Sequence, residues 1–317
     1  MTLVDPSLPD PLPHEPGVAE PADGAPVPPE PAGRLSAVRL LATNPVTVAA
    51  AVVLVVVVVL AVLGRWIAPY GENEVDVVNA LQPPSGAHWF GTDELGRDVL
   101  SRVVLATGVS LQVALVSVTF AFVVGVTVGI VSGFTRGWLD TVLMRLVDVM
   151  FAFPVLLLAL AIVAVLGPGL LTTMLAIGVV YTPIFARVAR ASTLSVAVEP
   201  YVQASRTMGT PSWFTLGRHV LPNISGPLIV QTSLSLAFAI LSEAALSFLG
   251  LGVQPPSPSW GRMLSEAQGF LGQAWWMSVF PGLAIFVTAL AFNLLGDGMR
   301  DVLDPKQRTV IEARRKR

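Results

Sequence analysis

The chain has 317 residues, 53% of them hydrophobic and only 13% charged, with a mean hydropathy of +0.71. A soluble domain is about a quarter charged, so this composition indicates a membrane protein. A net charge of -2 gives no footing for nucleic-acid binding, and the lack of cysteine excludes disulfides, thiolate metal sites and cysteine nucleophiles. The histidines, His14, His88 and His219, are far apart and show no metal-ligand spacing.

Residues 1–40 differ from the rest. MTLVDPSLPDPLPHEPGVAEPADGAPVPPEP is proline-rich and acidic, with no Lys or Arg before Arg34. It has neither the basic start nor the prompt apolar run of a signal peptide. Such a segment cannot bury enough apolar surface to offset its ordering entropy. It reads as a disordered cytosolic tail.

A helix needs about 20 apolar residues to cross the hydrocarbon core. Val46–Gly64 carries no charge and is the first predicted span. The uncharged run between Arg102 and Arg136 places the second at about Val109–Gly133. The run from Val149 to Ala186 is too long for one span, and Gly167-Pro168-Gly169 breaks it. That predicts a third span at about Thr141–Leu166 and a fourth at Leu170–Ala186. The fifth is expected at Ile224–Leu249 and the sixth at Trp276–Leu295. The expected fold is therefore an all-α integral membrane protein with six transmembrane helices. Its membrane domain occupies 41–308, and a basic tail occupies 309–317.

Six spans put both termini on one side. Of the 19 Lys and Arg residues, only Arg65, Arg97, Arg102 and Arg262 lie outside when the N-terminus is cytosolic; the other 15 lie inside or at the inner boundary. That asymmetry predicts cytosolic termini.

The cytosolic stretch between spans four and five, about 198–222, is long and punctuated: VEPYVQASRTMGTPSWFTLGRHVLP. Pro200 suits the first position of a helix and Gly209 the position just past its end, which predicts a helix over Pro200–Met208. Thr210 offers a cap for a second helix from Pro211, expected to stop before Pro222. Tyr201, Ala204, Ser205 and Met208 share one face of the first helix, and Trp213, Leu216, Gly217 and Val220 one face of the second. Helices this short are marginal alone in water and must dock. The dock is either the membrane domain and lipid interface, or a groove on a cytosolic partner.

The spacing of this stretch resembles the EAA loop of ABC-importer permease subunits. The matching residues are Gln203, Ala204 and Ser205, then Gly209, then His219, Val220, Leu221 and Pro222. The chain departs from the pattern at Gln203, Ser205 and His219, where Glu, Ala and Ile are usual. Three further segments resemble the second permease of dipeptide, oligopeptide and related nickel importers: HWFGTDELGRDVLSR at 88–102, SEAALSFLGLGVQPPSPSWGRMLSEA at 242–267 and NLLGDGMRDVLDPK at 293–306. With the loop, the resemblance covers about Pro45–Arg308. It implies a type I importer permease fold in the cell membrane, with Gln203, Ala204, Ser205, Gly209, Leu221 and Pro222 in a loop that couples to an ATPase. It also implies a second homologous permease, two ATPase domains and an extracytoplasmic solute-binding protein as partners, and peptides as cargo. Nickel or another small solute is the alternative cargo.

The chain carries no P-loop: its lysines, Lys306 and Lys316, follow Pro and Arg, not Gly. ATP and Mg are therefore expected on partner subunits, with no cofactor, metal or catalytic residue here. A stand-alone secondary transporter would need an inverted repeat and coupling-ion groups. No convincing repeat is visible, and few carboxylates beyond Glu243 and Asp148 sit at membrane depth. No Ser/His/Asp set or paired intramembrane carboxylate supports a membrane enzyme.

Other polar residues have simpler expected roles. Asp93 and Glu94 in GTDELGRD should favour the positive end of a helix. Arg145 and Asp148 are spaced for an i, i+3 ion pair. Glu243, Gln231 and Asn293 lie at membrane depth, where polar groups either bond between helices or line a water-filled route. Trp66, Trp260, Trp275 and Trp276 fall near outer boundaries, as an aromatic belt would. Phe134, at the inner end of span two, is assigned no role.

Overall fold

The computed structural model describes residues 44–303. The tail at 1–40 and the basic tail at 309–317 lie outside the described residues. Helix α1 is Pro45–Ile67. The Asn44 side chain accepts from the Val46 N–H at 3.0 Å, and Pro45 opens the first turn. Its many valines are poor helix formers in water, but a chain in lipid must satisfy its backbone internally. Thr47, Ala50, Leu54, Val57 and Gly64 form the inward stripe, while Val52, Val55 and Val62 face outward.

Helix α2, Val99–Thr135, has 37 residues and runs about 55 Å at 1.5 Å per residue. It begins well before the predicted span. Helices α3, Gly137–Phe151, and α4, Val155–Leu166, replace the single third span. They are bent by 90° at the break between them. Pro154 accounts for this: it cannot donate to the helical ladder, and it drives Phe153 away from helical geometry. Helix α5, Leu170–Val196, follows the Gly-Pro-Gly break and extends ten residues past Ala186. Helix α8, Leu221–Phe248, and α10, Trp276–Leu303, supply the last two spans. Among the described residues five helices are long and apolar enough to cross a membrane, and the bent pair brings the number to six if it counts as one broken span. The described residues contain no strand beyond an isolated bridge, Thr92 with Asp98.

The most extensive helix contact joins α2 to α5. Gly125, Gly129 and Gly133 line one face of α2. A Cβ on Gly129 would lie 2.6 Å from the Ala189 Cβ, and one on Gly125 would lie 2.6 Å from the Phe185 Cβ. The glycines therefore let the two backbones approach, as small residues do between membrane helices. Ala121, Ala176, Ile177, Val180, Phe185, Ile240 and Leu246 continue the same buried cluster.

Candidate functional site

The loop between α5 and α8 is the first candidate. Helix α6 is Pro200–Thr207, with Pro200 in its first turn. Gly209 follows at φ 71°, its N–H donates to Arg206 O at 3.0 Å, and the Thr210 N–H donates to Ser205 O at 3.2 Å. This paired closure ends the helix at a left-handed residue, as the sequence predicts.

The second loop helix does not behave as expected. Helix α7 is only Ser212–Thr215, Pro211 precedes it, and Thr210 makes no capping bond to it. It continues through a wide π turn, Leu216–Val220, directly into α8. The Leu221 N–H donates to Leu216 O, one residue further back than in an α-helix. That extra residue in the turn absorbs Pro222, which has no N–H and would otherwise clash one turn back. The Asn223 amide donates to His219 O at 2.6 Å, satisfying one carbonyl there.

The faces of the loop also differ from the pattern expected. Val202 and Ser205 are the buried residues of α6, whereas Tyr201, Ala204 and Met208 are exposed. Met208 is 77% exposed and Trp213 75%. Thr215 and Val220 are buried, with Leu216 partly so and Gly217 exposed. Ser205 and Thr215 share a hydrogen bond at 2.9 Å, and the Gln203 amide donates to Ala197 O at 2.7 Å. Arg206 donates to Phe134 O at 3.2 Å and lies 3.9 Å over the Phe134 ring. The rings of Tyr201, Trp213, Phe214 and His219 neighbour one another at 6.0–6.5 Å. A rigidly braced loop thus presents an exposed aromatic and aliphatic patch, the kind of surface that marks an interaction site.

The second candidate lies at the other end of the bundle. Asp93 does not sit at a helix N-terminus; Asp98 caps α2, accepting from the Ser101 N–H at 2.8 Å. His88 Nδ1 lies 3.0 Å from the same Asp98. Asp93 is instead the centre of an ion network. Its carboxylate accepts from Arg97 Nε at 2.6 Å, Arg102 Nη1 at 2.5 Å and two backbone N–H groups at 2.9 Å. Arg102 also donates to Glu266 at 3.0 Å, and Arg262 to Glu266 at 3.1 Å. This ties the segment before α2 to helix α9, Trp260–Ala267. Asp93, Glu94 and Glu266 come close enough together to hold a cation. Three guanidiniums, Arg97, Arg102 and Arg262, already balance those three carboxylates, so the cluster is an ion-pair network. Burial, and then the adjacent Asp93 carboxylate, push the Glu94 carboxyl above its ordinary value.

Two of the four tryptophans near the outer boundary are not belt residues. Trp260 and Trp276 are 2% and 4% exposed, and their indole N–H groups donate to Val103 O at 3.1 Å and Thr92 O at 3.0 Å. Trp66 and Trp275 are exposed. Asp148 pairs with Arg187 across to α5 at 2.7 Å, not with Arg145. Asp140 pairs with Arg190 at 2.6 and 2.7 Å.

Glu243 is fully buried; Ser110 donates to it at 3.3 Å and Ser247 at 2.7 Å. It thereby bonds α8 to α2. Gln231 donates to Ser235 on its own helix at 3.1 Å. Asn293 is partly buried on α10. Glu243 lies twelve residues along α8 from Gln231, whereas Ser233, near Gln231, donates to the carbonyl of Phe292, next to Asn293, at 2.6 Å.

These features define a multi-span helical membrane protein with a braced, exposed loop at one end and a closed ionic clasp at the other. A family profile described as binding-protein-dependent transport system inner membrane component matches residues 125–309, and one for the N-terminal TM domain of oligopeptide transport permease C matches residues 36–84. The chain is 44% identical to the probable D,D-dipeptide transport system permease protein of Escherichia coli, over 85% of this chain and 90% of that one. It is 43% identical to a glutathione transport system permease protein of Pectobacterium atrosepticum, over 82% and 87%. It is 40% identical to a dipeptide transport system permease protein of Alkalihalophilus pseudofirmus, over 86% and 90%. Among solved structures, the inward-facing MetNI methionine ABC transporter shares the fold at a TM-score of 0.54 and 20% identity, over 65% of this chain and 97% of that one. The chain belongs to the binding-protein-dependent transport system inner membrane component family. It is a transport permease subunit.

Proposed function

We propose that the chain is a permease subunit of an ABC importer that moves di- or oligopeptides into the cytosol. The observation that carries this reading is its near-full-length likeness to permeases named for dipeptide and glutathione transport. The subunit sits in the cell membrane with both termini cytosolic, as the Lys and Arg asymmetry favours. It pairs with a second homologous permease and receives solute from an extracytoplasmic binding protein. Two ATPase domains carry ATP and Mg.

In this reading the inner loop is the ATPase-coupling element. Gly209 sets the turn, Ser205 and Gln203 brace it, and Leu221 and Pro222 join it to α8. The exposed Tyr201, Ala204, Met208 and Trp213 supply the docking face. Gln231 and Asn293 are the polar groups assigned to the solute route. Glu243, enclosed by two serines, instead holds α8 against α2. Nickel cargo has no comparable support.

Two measurements test this. The tagged chain, gently extracted, should retain a second permease and ATPase subunits. In the reconstituted assembly, unlabelled dipeptides should compete with labelled dipeptide uptake while nickel should not. A chain that comes out alone and still moves solute would overturn the importer reading; nickel competition would overturn the peptide assignment.

A further inference from the structure

Phe134 has no role evident from the sequence, yet Arg206 of the loop contacts it directly at the end of α2. Phe134 lies in the last turn of α2, where carbonyls have no partner further along the helix. Arg206 donates to the Phe134 carbonyl at 3.2 Å and stacks 3.9 Å over its ring. Its positive charge also sits at the negative end of the helix. The contact thus uses hydrogen bonding, ring stacking and the helix dipole together. Only the planar guanidinium satisfies all of these, since an ammonium is a compact point charge.

The loop is joined covalently at both ends, from α5 through 197–199 and into α8 through the wide turn at Leu216–Val220, and Val202 packs into the core. Arg206 adds a direct tie to α2. Beyond it, α2 is locked to α5 along Gly125, Gly129 and Gly133, where the spacing leaves no room for a Cβ. Anything that moves the inner end of α2 must carry α5 with it, because packed cores shift as units.

We propose that Arg206 is a positioning residue that fastens the loop to α2, so that displacement of the loop is delivered to the α2–α5 pair. This rests on the reading of the loop as the ATPase contact. It adds a point, besides the covalent joins to α5 and α8, at which motion enters the membrane domain. Arg206 is itself exposed, but its guanidinium is turned to Phe134, and it is not among the docking residues Tyr201, Ala204, Met208 and Trp213.

The test uses the complete importer reconstituted in vesicles, with solute uptake and ATP hydrolysis measured on the same preparation. Arg206→Ala should keep ATPase subunits bound, and uptake per ATP hydrolysed should fall about five-fold or more, the scale of a site-to-site coupling. Arg206→Lys should give an intermediate ratio. The chain has no cysteine, so Arg206→Cys with Phe134→Cys can be bridged by a short thiol-reactive crosslinker. Bridging should raise the uptake ratio again, which a merely structural contribution to folding would not do. An unchanged ratio in Arg206→Ala, or a bridge without effect on the ratio, would overturn the proposal. Failure of the wild-type chain to retain any ATPase subunit would instead overturn the underlying importer reading.

Discussion

Removing Asp93 should loosen the end of the bundle opposite the 198–222 loop. Asp93 is 3% exposed and Arg102 is 2% exposed. The Asp93 carboxylate is the shared acceptor for Arg97 Nε at 2.6 Å and Arg102 Nη1 at 2.5 Å. With alanine there, Glu94 and Glu266 alone face Arg97, Arg102 and Arg262. Breaking a buried pair by removing one partner costs about 3–5 kcal/mol, because the other charge stays buried. Arg102 keeps Glu266 at 3.0 Å, which places Asp93→Ala near the lower end, at about 3 kcal/mol. Asp93→Asn keeps an acceptor for the Leu95 and Arg97 N–H groups and should cost less. Trp276 donates to the carbonyl of the adjacent Thr92, so thermal unfolding in detergent can be followed by tryptophan fluorescence. The expected order of midpoints is wild type, Asn, then Ala. Adding Arg102→Met to Asp93→Ala should recover part of the loss, since the orphaned cation is gone. Equal midpoints for wild type and Asp93→Ala, or strictly additive losses in the double variant, would refute the reasoning.

Gly129→Val should impair folding, because its Cβ would lie 2.6 Å from the Ala189 Cβ and 2.9 Å from the Arg190 nitrogen. Overpacking costs about 1–3 kcal/mol, and Gly217→Ala, which meets nothing within 4 Å, is the control for folded yield. At Gly209 a Cβ also meets open space, but φ is 71°, so Gly209→Glu acts through about 1–2 kcal/mol of backbone strain and a new charge on the docking surface. It should weaken ATPase retention and uptake together; unchanged uptake would count against the coupling role of the loop. Glu94 holds its proton to higher pH in the folded chain than in the unfolded one. Its ionisation therefore lowers stability as pH rises from the ordinary carboxylate range through the raised value. Glu94→Gln should flatten that part of the stability–pH curve, and identical curves for both proteins would show that another group is responsible.

The sequence alone determined the membrane class, the apolar segments that become membrane-length helices and the ends of the short loop helix. Uncharged length is a direct readout of hydrocarbon thickness. Pro200 and Gly209 act through their own backbone geometry, so their effect is local and legible. Where a proline's consequence depended on the surrounding chain, the sequence did not decide it. Pro154 bends its span by 90°, while Pro222 sits inside a continuous helix because the turn before it widens to accept it. The tryptophans divide in the same way: Trp66 stays at the surface, whereas Trp260 and Trp276 find carbonyl partners in the interior. Periodicity gave both loop helices an apolar face but not its direction, because Val202 is drawn into the core while Tyr201 and Met208 are left outside. Ion-pair partners were set by helix packing, so Asp148 reaches Arg187 and not Arg145. Local chemistry fixes which segments become helices; only their mutual packing fixes which faces, charges and carbonyls meet.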